Sequence, residues 1–210
     1  SANGLQLSGE AHFVNAADSA DELLMLAASG DEVLLVAVPR TSASVTLRPT
    51  LDGSQLGCVV LNKAEISAER ILSRQGLTLA EAAVDTTRLA LAAELAGNAS
   101  KALEITVAYT SERVQFGKPI AAFQSLQHRM VDMWADAEFA CSAVVNACDR
   151  QDESDALAAK LAILAAKARA GDAAVTVGRR AIQPHGAMGF TDECGIGHYM
   201  KRAVALNSAL

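Results

Sequence analysis

Arg113-Val114-Gln115-Phe116-Gly117-Lys118-Pro119-Ile120, continued by Phe123-Gln124 and His128, is a polar break between two long helical patterns, and its reading decides the fold. Before it, residues 78–111 interleave alanine and leucine with Glu81, Asp85, Arg88, Glu94, Lys101 and Glu104, which predicts one long helix with an irregularity near Gly97-Asn98. After it, Pro119 suits the first turn of a second helix. Along that helix Phe123, Leu126, Met130, Met133, Ala137, Cys141, Val144 and Cys148 recur at three- or four-residue steps, so they form one apolar stripe that requires another helix against it. A polar stretch over 149–154 precedes a third helix over 155–180, with Ser154 or Asp152 as its cap. Leu157, Leu161, Leu164, Ala168, Gly171, Val175 and Gly178 form its expected packing face. A shorter fourth helix follows the glycine-rich residues 186–197 and includes 199–206. Together these segments predict a mostly antiparallel four-helix bundle.

Upstream of residue 70 the period changes. Short apolar runs at 11–14, 23–28, 33–38, 45–47 and 57–61 are separated by turn chemistry at Gly9-Glu10, Ser29-Gly30-Asp31 and Leu51-Asp52-Gly53, as in an antiparallel sheet. That region is too small for a whole substrate-processing enzyme and reads as half of a barrel. The fold class is therefore α+β, a partial antiparallel β domain over 1–72 followed by a helical bundle over 73–210. With 210 residues, 51% of them hydrophobic, the chain can bury one sizeable core or two modest ones, which excludes disorder. A formal charge of -6 with no basic tract argues against a nucleic-acid surface. No signal peptide or membrane span is visible, and a reducing cytoplasm is the simplest compartment.

Arg113 sits where a helix ends, so its charge either caps the exposed carbonyls, pairs with Glu112 or Asp132, or sets a fork of donors on a diphosphate. Gln115 and Gln124 offer amide donors and acceptors to a cofactor or to the loop itself. A second block, Ala181-Ile182-Gln183-Pro184-His185-Gly186-Ala187-Met188-Gly189-Phe190-Thr191, reads either as a tight interhelical loop or as a place where Gln183 and His185 meet a polar ligand. Pro184 there kinks or ends the third helix. It is neither a Walker loop nor a dinucleotide fingerprint. His12, His128 and His198 do not form a metal triad, and no hydrolase triad is encoded. Cys58, Cys141, Cys148 and Cys194 lack zinc-ribbon or redox spacing; Cys141 and Cys148 read as two core thiols. Met133 and Trp134 are core or interface residues, and Lys201 and Arg202 face solvent or a phosphate-bearing partner.

Taken in order, Arg113-x-Gln115-Phe116-Gly117-x-Pro119-Ile120-x-x-Phe123-Gln124 and Gln183-x-His185-Gly186-Ala187-x-Gly189-Phe190 resemble the acyl-CoA dehydrogenases over almost the whole chain, from the end of the middle β domain through the C-terminal helical domain. Leu7-Ser8-Gly9-Glu10-Ala11-His12-Phe13-Val14 adds to the likeness. The resemblance implies that Arg113 and Gln115 approach the diphosphate of FAD and that Phe116 packs near its adenine. It further implies that Phe123 and Gln124 lie beside the same cofactor, while Gln183, His185, Gly186 and Ala187 cradle it from the next loop. In that family these groups reach into the flavin site of a dimer mate. A glutamate removes the α proton of an acyl-CoA, the β hydride passes to the flavin, and a 2,3-enoyl-CoA forms; electrons then go to an electron-transferring flavoprotein or to oxygen.

The chain departs from the family where the base belongs. One family position for the glutamate falls at Leu210, the other at Thr87, and neither side chain replaces a carboxylate; Glu94 lies further along the helix. The leading expectation is a non-catalytic acyl-CoA dehydrogenase subunit or fragment in a homo- or hetero-oligomer, a dimer or tetramer, with a partner subunit contributing the base. Heteromeric relatives acting on steroid side-chain CoA thioesters divide labour in this way. The alternatives are an active dehydrogenase whose base lies outside this stretch, and a helical interaction protein without cofactor.

Overall fold

The computed structural model describes residues 4–151 and 154–210. The chain divides into two compact units, one reaching to Val84 and one running from Asp85 to Leu210. The first unit holds strands β1 (Gly4–Asn15), β2 (Glu22–Ser29), β3 (Glu32–Pro39), β4 (Ser44–Pro49), β5 (Gln55–Ser67) and β6 (Ile71–Ser73). They form two antiparallel three-stranded sheets, in the orders β1-β5-β4 and β2-β3-β6. All five apolar runs lie within strands; β6 is a sixth that the pattern does not signal.

Alternation builds this core. Leu34, Val36 and Val38 on β3 face Val59, Leu61, Ala64 and Ile66 on β5, and one apolar cluster joins both sheets. β1 and β2 are the edges of their respective sheets, and a cleft of 690 Å³ lined by Leu7, Val14, Leu23 and Met25 lies between them, so the sheets do not close into a barrel. Two of the three expected turns are present. The β2–β3 hairpin closes at Ser29 opposite Glu32, with Gly30 at φ +60°. Between β4 and β5, Gly53 has φ +85° and the Asp52 carboxylate accepts from the Ser54 amide at 3.2 Å. Gly9-Glu10, by contrast, is no turn. It lies inside β1 beside a bulge in which Asn62 and Lys63 oppose Ser8, whose hydroxyl accepts from the Lys63 amide at 3.0 Å.

The helices are α1 (Gly76–Glu112), α2 (Gln124–Arg150), α3 (Ala156–His185) and α4 (Ile196–Asn207), with a two-residue hairpin, β7 (Val114–Gln115) and β8 (Lys118–Pro119), between α1 and α2. α1 passes through Gly97-Asn98 without the expected irregularity; the Asn98 amide donates to the Tyr199 carbonyl at 3.2 Å and ties α1 to α4. The bundle core is mostly alanine, with Ala92, Ala99, Ala140, Ala166, Ala170 and Ala173 fully buried around Leu95, Met133 and Val177. Small residues let the helices approach closely. At Gly171 an added methyl would meet the Asn207 side chain, and at Gly178 it would come 3.1 Å from Met200 Sδ, so α4 packs on α3 through two glycines.

That packing corrects the expected face of α3. Leu157 (68% exposed), Leu161, Leu164 and Ala168 lie outside, Val175 is half-buried, and only Gly171 and Gly178 of the predicted set are buried. The α2 stripe is closer to expectation, with Met133 and Ala137 buried, but Cys148 is exposed and is not a core thiol. Asp155 caps α3, accepting from the amides of Leu157 and Ala158 at 3.1 Å each; Ser154 does not, and Asp152 lies outside the described residues. α3 also runs past Arg180 to His185, with Pro184 inside its last turn, where the missing amide leaves the Arg180 carbonyl without that donor and the helix ends two residues later at Gly186. Pro119 likewise ends β8 and does not open α2, whose N-cap is Phe123.

Candidate functional site

At the C-terminal end of α1 the Arg113 amide still donates to the Tyr109 carbonyl at 2.9 Å, and its carbonyl accepts from Ile120 at 2.8 Å, which closes the β7–β8 hairpin over the helix end. Phe116 and Gly117 form the two-residue turn at φ +53° and +78°, the pair of positive values that a type I′ turn requires. A phenylalanine in that region costs on the order of 1 kcal/mol, and its ring is displayed at 90% exposure. The ring stands edge-on to Phe123 at 6.1 Å, and Lys118 Nζ lies 4.4 Å from the Phe123 ring centre. Gln115 turns back on its own strand, its amide donating to the Val114 carbonyl at 2.8 Å. Gln124 opens α2 in the exposed first turn, with no side-chain cap on the free amides. Arg113 is exposed and makes no ion pair among the described residues, neither with Glu112 nor with Asp132.

The second block sits at the other helix end. Gln183, Gly186 and Ala187 are exposed, while His185 is buried at 3% exposure. Gly186 ends α3 at φ +61°, its amide donating to the Gln183 carbonyl. At Gly189 an added Cβ would stand 2.7 Å from the Ile182 carbonyl oxygen, so the return of the chain over α3 needs glycine. Nδ1 of His185 bonds the Ala181 carbonyl at 2.8 Å, and Nε2 is buried without a protein partner. The imidazole stacks on Tyr109 with ring centres 4.4 Å apart. Tyr109, absent from the sequence candidates, thus joins the two blocks: its ring holds His185 and its carbonyl holds Arg113. Two aromatic or heterocyclic residues far apart in the chain carry no pairing signal in one sequence.

These residues do not line the clefts of 690, 520, 460 and 340 Å³, which lie elsewhere. Arg113, Gln124, Gln183 and the Phe116 ring are exposed at the helix ends, while His185 is buried and Gln115 donates to its own strand. Such a surface fits an elongated ligand with a diphosphate and an aromatic ring: an unpaired guanidinium, exposed amides and backbone, and a displayed phenyl ring.

The two positions considered for a carboxylate base come to one place. Thr87 is exposed on α1, and its neighbour Arg88 donates from Nε to the Leu210 carbonyl at 3.4 Å. Arg88 also pairs with Asp85 at 2.8 Å. Glu94 lies about two turns further along α1 and is held by Arg202 at 2.7 Å. Lys201 pairs with Asp192 at 3.7 Å, and both basic residues of α4 are partly exposed to solvent. Close to the same end of the bundle Lys167, 7% exposed, donates to the Asn207 carbonyl at 3.4 Å; burial pushes its pKa below 10.5, and the Arg88 charge adds to the effect. Among the described residues no helix is long and apolar enough to cross a membrane.

Residues 74–208 match the family model described as the C-terminal domain of acyl-CoA dehydrogenase. The chain is 36% identical over 193 residues to acyl-CoA dehydrogenase IpdE2 of Mycolicibacterium smegmatis, covering 91% of this chain and 54% of that protein. It is 40% identical over 119 residues to IpdE2 of Mycobacterium tuberculosis, covering 57% of this chain and 35% of that one. The solved Tcur3481-Tcur3483 steroid acyl-CoA dehydrogenase is similar at a TM-score of 0.84 and 29% identity, over 97% of this chain and 55% of that one. The chain therefore spans from about a third to a little over half the length of the relatives it matches.

Proposed function

Because this chain belongs to the acyl-CoA dehydrogenase family, we propose that it is part of an FAD-dependent dehydrogenase subunit that clamps the flavin of a neighbouring subunit and does not itself supply the catalytic base. Residues 1–72 correspond on this reading to the end of the middle β domain and 73–210 to the helical domain. The observation that carries it is the outward-facing pair of blocks at the helix ends, joined through Tyr109 and His185, with Arg113 unpaired among the described residues. A clamp for a cofactor seated mainly in another chain needs donors displayed at a surface, and that is their arrangement.

Arg113 would pair with the diphosphate, with Gln115 beside it, and Phe116 and Phe123 would cover the adenine side. Gln124 would add an amide from the first turn of α2. Gln183 and the exposed backbone of Gly186 and Ala187 would meet the cofactor from the second block, with His185 holding that loop in place. The flavin, when bound, accepts the hydride from the acyl-CoA β carbon. Thr87 and Leu210 have no proton-accepting group for the α carbon, and the Glu94 carboxylate is engaged by Arg202. A partner subunit therefore supplies the base, and an electron-transferring flavoprotein accepts the electrons. The likeness to a steroid acyl-CoA dehydrogenase supports a steroid-derived acyl-CoA as substrate; a two-fold flavin-sharing dimer or its tetramer and a cytoplasmic location belong to the same proposal.

The test is purification with native partners, followed by flavin spectroscopy and acyl-CoA reduction. Arg113→Ala should weaken FAD retention about 10- to 100-fold with helix content unchanged, the loss expected for one charge-assisted contact to a diphosphate. Glu94→Gln should leave activity in place, whereas removing a carboxylate in the partner should abolish it. A stable complex with neither flavin nor CoA-dependent activity would sink the reading.

A further inference from the structure

The outer face of the β1–β5 pair carries a group of donors outside the proposed clamp. Ala11 pairs with Val59 and Val14 with Gly57, so two residues of β1, His12 and Phe13, oppose the single residue Cys58. Phe13 takes up the extra length at φ +60°. Such a bulge re-aims the side chains beside it. Here Glu10 and His12 flank the inward-facing Ala11, and Cys58 alternates with the buried Val59. One donor atom each from Glu10, His12 and Cys58 lies within 4.8 Å of the other two. His12 Nε2 is already 3.3 Å from Glu10 Oε1.

A tetrahedral zinc ion, with bonds of about 2.0–2.3 Å, holds its donors about 3.3–3.8 Å apart. Modest rotation of three side chains, two of them exposed, closes the set to that spacing. Carboxylate, imidazole and thiolate are each zinc ligands, and the thiolate disfavours calcium and magnesium, which take oxygen donors. Cys58 is a free thiol. We propose that Glu10, His12 and Cys58 form a binding site for one divalent ion of the zinc class, with water as fourth ligand, which staples the β1 bulge to β5.

Cobalt(II) titration of the purified, chelator-treated protein reads the site directly. One equivalent should bind with a thiolate-to-cobalt charge-transfer band in the near ultraviolet, and zinc should displace it. Cys58→Ser should abolish the band, and His12→Ala should weaken cobalt binding at least tenfold. Cys148→Ser, at an exposed thiol on α2, should change neither. Where Cys58→Ser disturbs the strand, Glu10→Gln at an exposed position reads the same site through a comparable loss of affinity. Absence of the band, its survival in Cys58→Ser, or unchanged affinity in both His12→Ala and Glu10→Gln would overturn the proposal.

Discussion

The two units reach a dry interior by opposite means. The β unit fills the space between its sheets with large aliphatic side chains, Leu34, Val36, Val38, Val59 and Ile66, while Phe13, Leu24 and Leu51 lie exposed on its surface. In the helical unit alanine and glycine take up most of the centre, around Leu95, Met133 and Val177, while Leu157, Leu161 and Leu164 lie on the surface. Large side chains build the core of one, and alanine builds most of the core of the other. Close helix approach explains the difference, because dispersion contacts between backbones replace those that larger side chains would make.

That contrast can be broken most forcefully by removing volume from the first unit. Leu34→Ala should lower unfolding stability by about 3 kcal/mol, since rigid sheets cannot collapse into the cavity; denaturant unfolding measures it, and a loss below about 1 kcal/mol would mean that the sheets are not a packed interior. In the second unit the damaging change is the opposite one. Ala170→Leu should cost about 2 kcal/mol by forcing α3 away from its neighbours, and a neutral or stabilising result would show slack where close packing is described.

A charged residue sharpens the comparison at the next scale. Lys167 is buried in the alanine-rich unit with its pKa lowered, first by desolvation and then by Arg88. The unfolded chain therefore holds that proton more tightly than the folded one, so stability rises with pH between the folded value and 10.5. Lys167→Met should gain on the order of 1 kcal/mol at neutral pH, and the gain should shrink as pH climbs towards 10.5. A difference that stays flat across that range would remove burial as its cause. The smallest effect belongs to the surface leucines: Leu161→Ala should shift stability by less than about 0.5 kcal/mol, and a larger loss in the assembled protein than in the separate chain would place that leucine under a partner.

The same contrast explains what the sequence disclosed. The short continuous apolar runs at 23–28 and 33–38 mark strands plainly, because Ser29-Gly30-Asp31 between them and Pro39 after them supply turn and breaker chemistry. Helix existence was equally plain in the bundle, but the buried face of α3 was not. Where most positions are alanine, hydrophobicity hardly varies around the helix, and leucine misleads. The cap at Asp155 does not stand out among several adjacent polar residues, any of which has the chemistry. Bulges leave no mark in the sequence, and neither does the meeting of His12 with Cys58, since register across strands is set by partners that a linear pattern does not name. In the candidate site the two motif blocks were legible through glycine, proline and arginine placed at helix ends. Their connection through Tyr109 was not, nor was the approach of Arg88 to Leu210.

The stacking of Tyr109 on His185 bears on the thermodynamics of any ligand that spans both blocks. Each ring is fixed by its own helix, so the spacing of the two loops is set before a ligand arrives. Little conformational entropy then remains to be lost on association, and affinity is not diminished by ordering the loops. Loosening that stack would convert a prepaid template into a flexible one, with the loss read as a faster dissociation rate and little change in encounter.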